Sequence, residues 1–246
     1  MELVAQNKEI GVREISRQLD IPRSTVSRLA GNLVKSGYLF QDSRTRDFRL
    51  SYKLFRMGKK AIDNLNVRDL ALPVMGEIAR QTNETVNLYI PYEDELLLIE
   101  KIDSTHALKI YTRVGDRLPV YCTSVGKALM AWLDESERKD LLLRTELKPF
   151  TPKTIYQPEK LEEKVAGIRA KGYAISDEEY NVGVLSVGAP IFGLEGKAIA
   201  GISIVTPATR ENLTVDELGE IVKQGVKKIS LACGFPQEWL SKVSLV

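Results

Sequence analysis

Two stretches of this 246-residue chain place polar side chains at spacings that imply a chemistry. In Arg23-Ser24-Thr25-Val26-Ser27-Arg28, helical spacing turns Val26 one way and sets Ser24, Ser27 and Arg28 on the opposite side, with Thr25 beside them. Such a face is short, donor-rich and crowned by a guanidinium. It suits the base edges of a DNA major groove, where arginine on guanine is the commonest specific contact. An ordinary solvated helical hairpin is the plainer alternative. In Cys122-Thr123-Ser124-Val125-Gly126-Lys127, a Thr-Ser pair opens a helix with glycine in its first turn. Free N–H groups and the positive end of the dipole make such a start a ready anion site, so Thr123, Ser124, Val125 and Gly126 are candidates for holding a carboxylate. Taken alone, simple N-capping is the commoner reason for Ser and Thr there.

The first stretch needs elements to present it. Val12–Tyr38 reads as two short helices around Asp20-Ile21-Pro22, since proline suits a helix start where no N–H partner exists anyway. Ile15 and Leu19 should bury together in the first helix, and Val26, Leu29, Ala30 and Leu33 in the second. Tyr38-Leu39-Phe40 and Phe48-Arg49-Leu50 then read as two strands joined by a polar turn carrying Arg44 and Arg46. Helix, turn, helix and basic-tipped hairpin make the winged helix-turn-helix plan, with the wing arginines on phosphates. Charge agrees. Residues 1–60 hold 13 basic against 6 acidic residues, a net of +7, which leaves −5 for the rest of a chain totalling +2. A basic head on an acidic body is the footprint of a nucleic-acid-binding module fused to something else.

Composition narrows the class. With 43% hydrophobic and 28% charged residues the chain is ordinary for a soluble globular protein, with room for a small module and one larger domain. No apolar run approaches the roughly 20 residues needed to cross a bilayer, and Met1–Gln6 carries no secretory pattern. The expectation is a cytoplasmic protein with no membrane contact, in which Cys122 and Cys233 stay reduced. Enzymatic readings fail one by one. Gly126-Lys127 lacks the earlier glycine and following hydroxyl of a phosphate loop. Ser186 sits in a strand run instead of a nucleophile elbow. Pairing Cys122 with His106, the only histidine, is less expected than structural roles for both. Two cysteines and one histidine make no convincing metal cluster, so no metal or cofactor is expected.

After Ser51 comes a helix with Leu54, Met57, Ala61 and Leu65 on one stripe, a stiff connector too short to stand alone in water. Asn66 can cap a further helix over Val67–Arg80, which Pro73 should kink or break. Beyond it, strands are expected at Thr85–Ile90, Glu95–Ile102, Leu108–Arg113, Tyr173–Ser176, Val184–Phe192 and Lys197–Val205. Helices are expected at Ser124–Leu133, Glu135–Leu143, Pro158–Lys171 and Val215–Leu231. Gly193-Leu194-Glu195-Gly196 closes the last two strands into a hairpin. Hairpins mixed with segregated helices argue for an α+β fold with a largely antiparallel sheet.

VREISRQLDIPRSTVSRLAGNLVKSGY, VYCTSVGKALMAWL, DEEYNVGVLSVGAPIF and AIAGISIVTPATR, in that order, resemble the IclR (isocitrate lyase regulator) family of bacterial transcription factors over nearly the whole chain. The resemblance implies a winged helix-turn-helix domain over residues 1–51 and a linker helix over 52–66. It implies a GAF-like effector domain over 67–246, with an antiparallel sheet flanked by helices. It also implies a homodimer or dimer of dimers on palindromic double-stranded DNA, and a small organic acid as effector. By position, the family's pocket residues fall on Ser124, Val125, Asp177 or its neighbour Ser176, Ser186, Ser203 and Val205. Where relatives that take small keto acids offer a hydroxyl, Val205 offers an isopropyl group, which favours a larger, partly apolar acid. Of the family's opening helix only Met1–Gln6 is present, so either the start was placed late or the helix is clipped. The reading is therefore a non-enzymatic, ligand-responsive regulator, most often a repressor of a catabolic operon in this family. The alternative is a metabolite sensor or effector-domain enzyme without operator binding.

Overall fold

The computed structural model describes residues 1–63 and 66–245, and the chain divides into two compact units, Met1–Asn64 and Leu65–Val246. In the first unit, α1 (Glu2–Gln6), α2 (Val12–Leu19) and α3 (Arg23–Lys35) precede a hairpin of β1 (Leu39–Gln41) and β2 (Phe48–Leu50), and α4 (Tyr52–Asp63) follows. A small core of Val4, Ile10, Ile15, Val26, Ala30, Leu39 and Phe48 holds these together. The turn between α2 and α3 is sealed reciprocally: the Ile21 N–H donates to the Ser16 carbonyl, and the Ser16 hydroxyl donates to the Ile21 carbonyl. Two apolar residues depart from expectation, since Leu19 is 53% and Leu29 45% exposed. With only seven buried apolar residues at its centre, so small a core cannot cover the full width of both helices.

The second unit opens with α5 (Asn66–Thr82), which runs on past Pro73; the proline lies on the exposed side of the helix, where the carbonyl it leaves without a donor can turn to water. There follow β3 (Thr85–Tyr92), β4 (Glu95–Ile102), β5 (Arg117–Pro119), α6 (Ser124–Met130), α7 (Glu135–Arg144) and α8 (Pro158–Lys171). The chain closes with β6 (Ala174–Asp177), β7 (Val184–Phe192), β8 (Ala198–Pro207), α9 (Val215–Ala232) and a 3-10 turn at Gln237–Val243. The six strands form one sheet in the order β5-β4-β3-β8-β7-β6, antiparallel at every pairing.

Strand alternation divides the sheet's two faces. Val86, Leu88, Val187, Ala189, Ile202 and Ile204 pack with Met75 and Ile78 of α5 and Val222, Val226 and Ile229 of α9. On the other side, Val125, Ala128 and Leu129 of α6 and Leu161, Val165 and Ile168 of α8 share a second core with Tyr89, Leu96 and Leu98. The alternate positions Asn87, Ser186, Ser203 and Val205 fall on this second side.

One expected strand is absent. Leu108–Arg113 is an irregular connection, and the edge strand is Arg117–Pro119, in register with Glu95–Leu97 of β4. In the irregular segment, side chains take the backbone acceptors a neighbouring strand would use: Arg210 donates to the Leu108 carbonyl and Lys101 to that of Thr112. Leu108 and Tyr111 are consequently 67% and 69% exposed.

Candidate functional site

The first unit presents one polar helix face. Arg23, Ser24, Ser27 and Arg28 of α3 are exposed and Thr25 is half-buried, while Val26 and Ala30 hold the opposite side of the helix in the core. The wing tip is fixed by Asp42, whose Oδ1 accepts the Arg44 and Thr45 N–H groups. Those bonds hold its carboxyl below the usual carboxylate range. Arg44 and Arg46 stand exposed on this tip, Arg46 in the left-handed region at φ 64°. The arrangement offers a guanidinium and hydroxyls for base edges and two further cations for phosphates.

The second unit contains a cavity of about 340 Å³ between the sheet and the start of α6. Thr123 caps α6, accepting the Gly126 N–H at 3.3 Å. This leaves the N–H groups of Ser124 and Val125, at the first two helical positions, without an intrahelical acceptor. Two glycines allow the approach. A Cβ on Gly126 would lie 2.0 Å from the Val120 carbonyl oxygen, and one on Gly188 2.8 Å from Ser124 Oγ and 2.9 Å from Val125 N. The helix start is thus seated directly on β7.

Of the residues singled out from sequence, Thr123, Ser124, Val125, Ser186, Ser203 and Val205 line the cavity. The hydroxyls of Ser124, Ser186 and Ser203 find no hydrogen-bond partner among the described residues, although Ser124 and Ser203 are buried. Two candidates lie elsewhere. Gly126 packs on Val120, and Asp177 is exposed and paired with Lys153 at 3.0 Å. Ser176, its neighbour, does face the cavity, and its hydroxyl donates to the Cys122 carbonyl at 2.8 Å. Alternation along β6 decides between the two, because adjacent residues point to opposite sides.

Sequence reasoning passed over Asn87 and Tyr89 of β3, and Tyr180, all on the cavity wall. Asn87 had a signal: it is the single amide in the run Thr85-Val86-Asn87-Leu88-Tyr89-Ile90. Also missed was the ion pair of Lys127 with Glu179, both buried, which roots the segment carrying Tyr180 to α6. Burial pushes Lys127 below the ordinary lysine range and Glu179 above the ordinary carboxylate range, despite their mutual attraction. Burial pushes the Cys122 thiol up to about 12, which disfavours its thiolate. His106 is engaged elsewhere, its Nε2 lying 3.2 Å from Asn83 Nδ2.

Comparison with known proteins agrees with both units. Residues 1–43 match the IclR helix-turn-helix domain, and residues 59–231 the family described as Bacterial transcriptional regulator IclR C-terminal. The HTH-type transcriptional regulator KdgR of Escherichia coli (strain K12) is 34% identical over 236 residues, 96% of this chain and 90% of that protein. The HTH-type transcriptional repressor AllR of the same organism is 33% identical over 226 residues, 91% of this chain and 83% of that protein. An IclR homolog from Microbacterium hydrocarbonoxydans, solved in complex with 4-hydroxybenzoate, superposes with a TM-score of 0.79 at 26% identity, covering 91% of each chain. With an exposed donor-rich helix and a basic wing in one unit and both family regions matched, the chain belongs to the IclR family of bacterial transcriptional regulators and is a DNA-binding regulator.

Proposed function

We propose that this regulator is a cytoplasmic repressor of a catabolic operon, released or modulated by a small organic acid held in the cavity of the second unit. The cavity carries this reading. Two unpaired N–H groups at the start of α6 and the unpartnered hydroxyls of Ser124, Ser186 and Ser203 converge on one space of about 340 Å³. These hydroxyls open onto the cavity and are free to bond a ligand, so their convergence suits one that carries oxygens. The carboxylate belongs at the helix start, where no free cation is needed, and Val205 supplies an apolar patch for the ligand's body. AllR, a repressor by name, and the 4-hydroxybenzoate complex support the sign of regulation and the class of ligand by similarity. On DNA, the best candidates for base contacts are Arg23, Ser24, Thr25, Ser27 and Arg28, with Arg44 and Arg46 on phosphates.

The test is fluorescence anisotropy of the full chain on DNA from upstream of its own gene, with and without a panel of keto, sugar and aromatic acids. Operator binding that one acid shifts by about 5- to 150-fold is expected. Ser203→Leu should fill the cavity and remove the response to that acid. No binding to any such DNA would instead favour a sensor without an operator. A response preserved in Ser203→Leu would move the ligand out of this cavity.

A further inference from the structure

We propose that Asn87, with Tyr89 beside it, selects the ligand by donating to a second oxygen at the end remote from the carboxylate. This rests on the reading of the cavity as an acid site. The geometry follows from strand register. Gly188 pairs with Ser203, and Ser203 with Asn87, so these three residues stand in a row across β7, β8 and β3. The start of α6 sits over Gly188 at one end of the row, and Asn87 marks the other. Two strand spacings of about 4.8 Å separate the ends by about 10 Å. Allowing a hydrogen bond of about 2.8 Å at each end leaves about 4–6 Å between ligand oxygens. That is the separation of a carboxylate oxygen from an oxygen borne about two or three carbons further along the ligand, whatever apolar body the ligand carries beside it.

The side chains at the far end are set up as donors. Asn87 is fully buried in the middle of the sheet, where an amide is expensive unless bonded. Its Oδ1 accepts the Thr112 hydroxyl at 3.1 Å, which turns the NH2 group toward Tyr89. One N–H donates to the Tyr89 hydroxyl at 3.3 Å. The other N–H and the phenolic proton of Tyr89 have no acceptor among the described residues, and both residues line the cavity. Burial holds the Tyr89 hydroxyl well above its ordinary value, so it keeps its proton and stays a donor. With Asn87 Oδ1 already occupied, this end offers donors and selects an acceptor. The helix start does the same at the other end. A cavity with donors at both ends discriminates against a monocarboxylate whose tail is hydrocarbon, because such a ligand leaves buried N–H and O–H groups unpaired.

Calorimetric titration of the full chain with levulinate and with pentanoate tests this. Both are five-carbon acids, and they differ in one keto oxygen near the far end. Levulinate should bind the parent at least about fivefold more tightly, the usual worth of a hydrogen bond. Asn87→Leu and Tyr89→Phe should each reduce that advantage below about threefold while leaving pentanoate within about threefold of the parent. Tyr89→Phe removes a hydroxyl and keeps the ring, so it settles the question even if Asn87→Leu fails to fold. Equal binding of the two acids by the parent, or an advantage that survives Tyr89→Phe and Asn87→Leu, overturns the assignment and leaves the acid site standing. Binding of neither acid overturns the assignment of Asn87 and Tyr89 as donors to a second oxygen at this distance, and the acid site itself is then judged by the wider panel of acids.

Discussion

At the scale of single residues, the same side-chain type has different consequences according to where it sits. Arg28 is exposed on the helix face aimed outward, whereas Arg44 and Arg46 stand on the wing tip. Arg28→Ala should cost about 1–3 kcal/mol on the operator and little on random DNA. Arg44→Ala should instead weaken all sequences similarly and flatten the salt dependence, measurable by anisotropy across a salt series. An Arg28→Ala variant with parental operator affinity would show that another residue reads the site. Lys127 and Glu179 illustrate buried charge. Lys127→Met should destabilise the second unit by about 3–5 kcal/mol, because it strands the Glu179 carboxylate. Adding Glu179→Leu should recover most of the loss, and urea unfolding of the two variants would show whether it does. A double variant no more stable than the single would mean that the pair's hydrogen bonds matter more than its charge.

At the scale of elements, the cavity exists because α6 is allowed to touch the sheet. Gly188→Ala would bring a methyl group to 2.8 Å from Ser124 Oγ, so the helix start must lift. The expected result is about 1–3 kcal/mol of lost stability together with weaker acid binding by roughly tenfold or more. Thermal melting and calorimetry on the same variant would separate the two effects. Unchanged acid affinity would show that the ligand does not depend on the α6 start. Most elements were legible from period and turn chemistry: β7 and β8 meet through Gly193-Leu194-Glu195-Gly196 as anticipated, and α8 spans the expected Pro158–Lys171. Leu108–Arg113 was not, because its apolar alternation resembles a strand while its backbone acceptors are taken by Arg210 and Lys101. No local pattern reveals a partner about a hundred residues away.

At the scale of the whole molecule, two winged modules are needed to read a palindrome, one per half-site. On α4, Tyr52 and Phe55 are 88% and 72% exposed, and Met57 is exposed as well, while Leu54 is half-buried. The side chains of Ala61 and Leu65, expected on one stripe with Leu54 and Met57, lie outside the described residues. Tyr52 and Phe55 share one side of the helix and Met57 stands on another, and these bare apolar side chains are expected to be covered by a second copy, giving a homodimer or a dimer of dimers. Light scattering at tens of micromolar should return a mass of two or four chains, and Phe55→Glu should lower it. A single-chain mass with or without DNA would refute the assembly. Linkage then sets a quantitative demand on the complete regulator. If an acid changes operator affinity by a given factor, operator DNA must change acid affinity by the same factor, and calorimetry with and without DNA can compare them.

The α+β class, the helix-turn-helix, the wing and the candidacy of Ser124, Ser186, Ser203 and Val205 follow from spacing, turn residues and resemblance to a family. All of these depend on neighbours in sequence or on motifs that keep their order. The choice of Ser176 over Asp177, the inclusion of Asn87 and Tyr89, and the burial of Lys127 against Glu179 were decided only by tertiary structure. Each turns on which side of a strand faces which helix, and on residues brought together by pairings such as Asn87 with Ser203. Register across a sheet is fixed by packing of the whole face, since a shift of one residue exchanges its two sides, and a single stretch of chain carries no record of it.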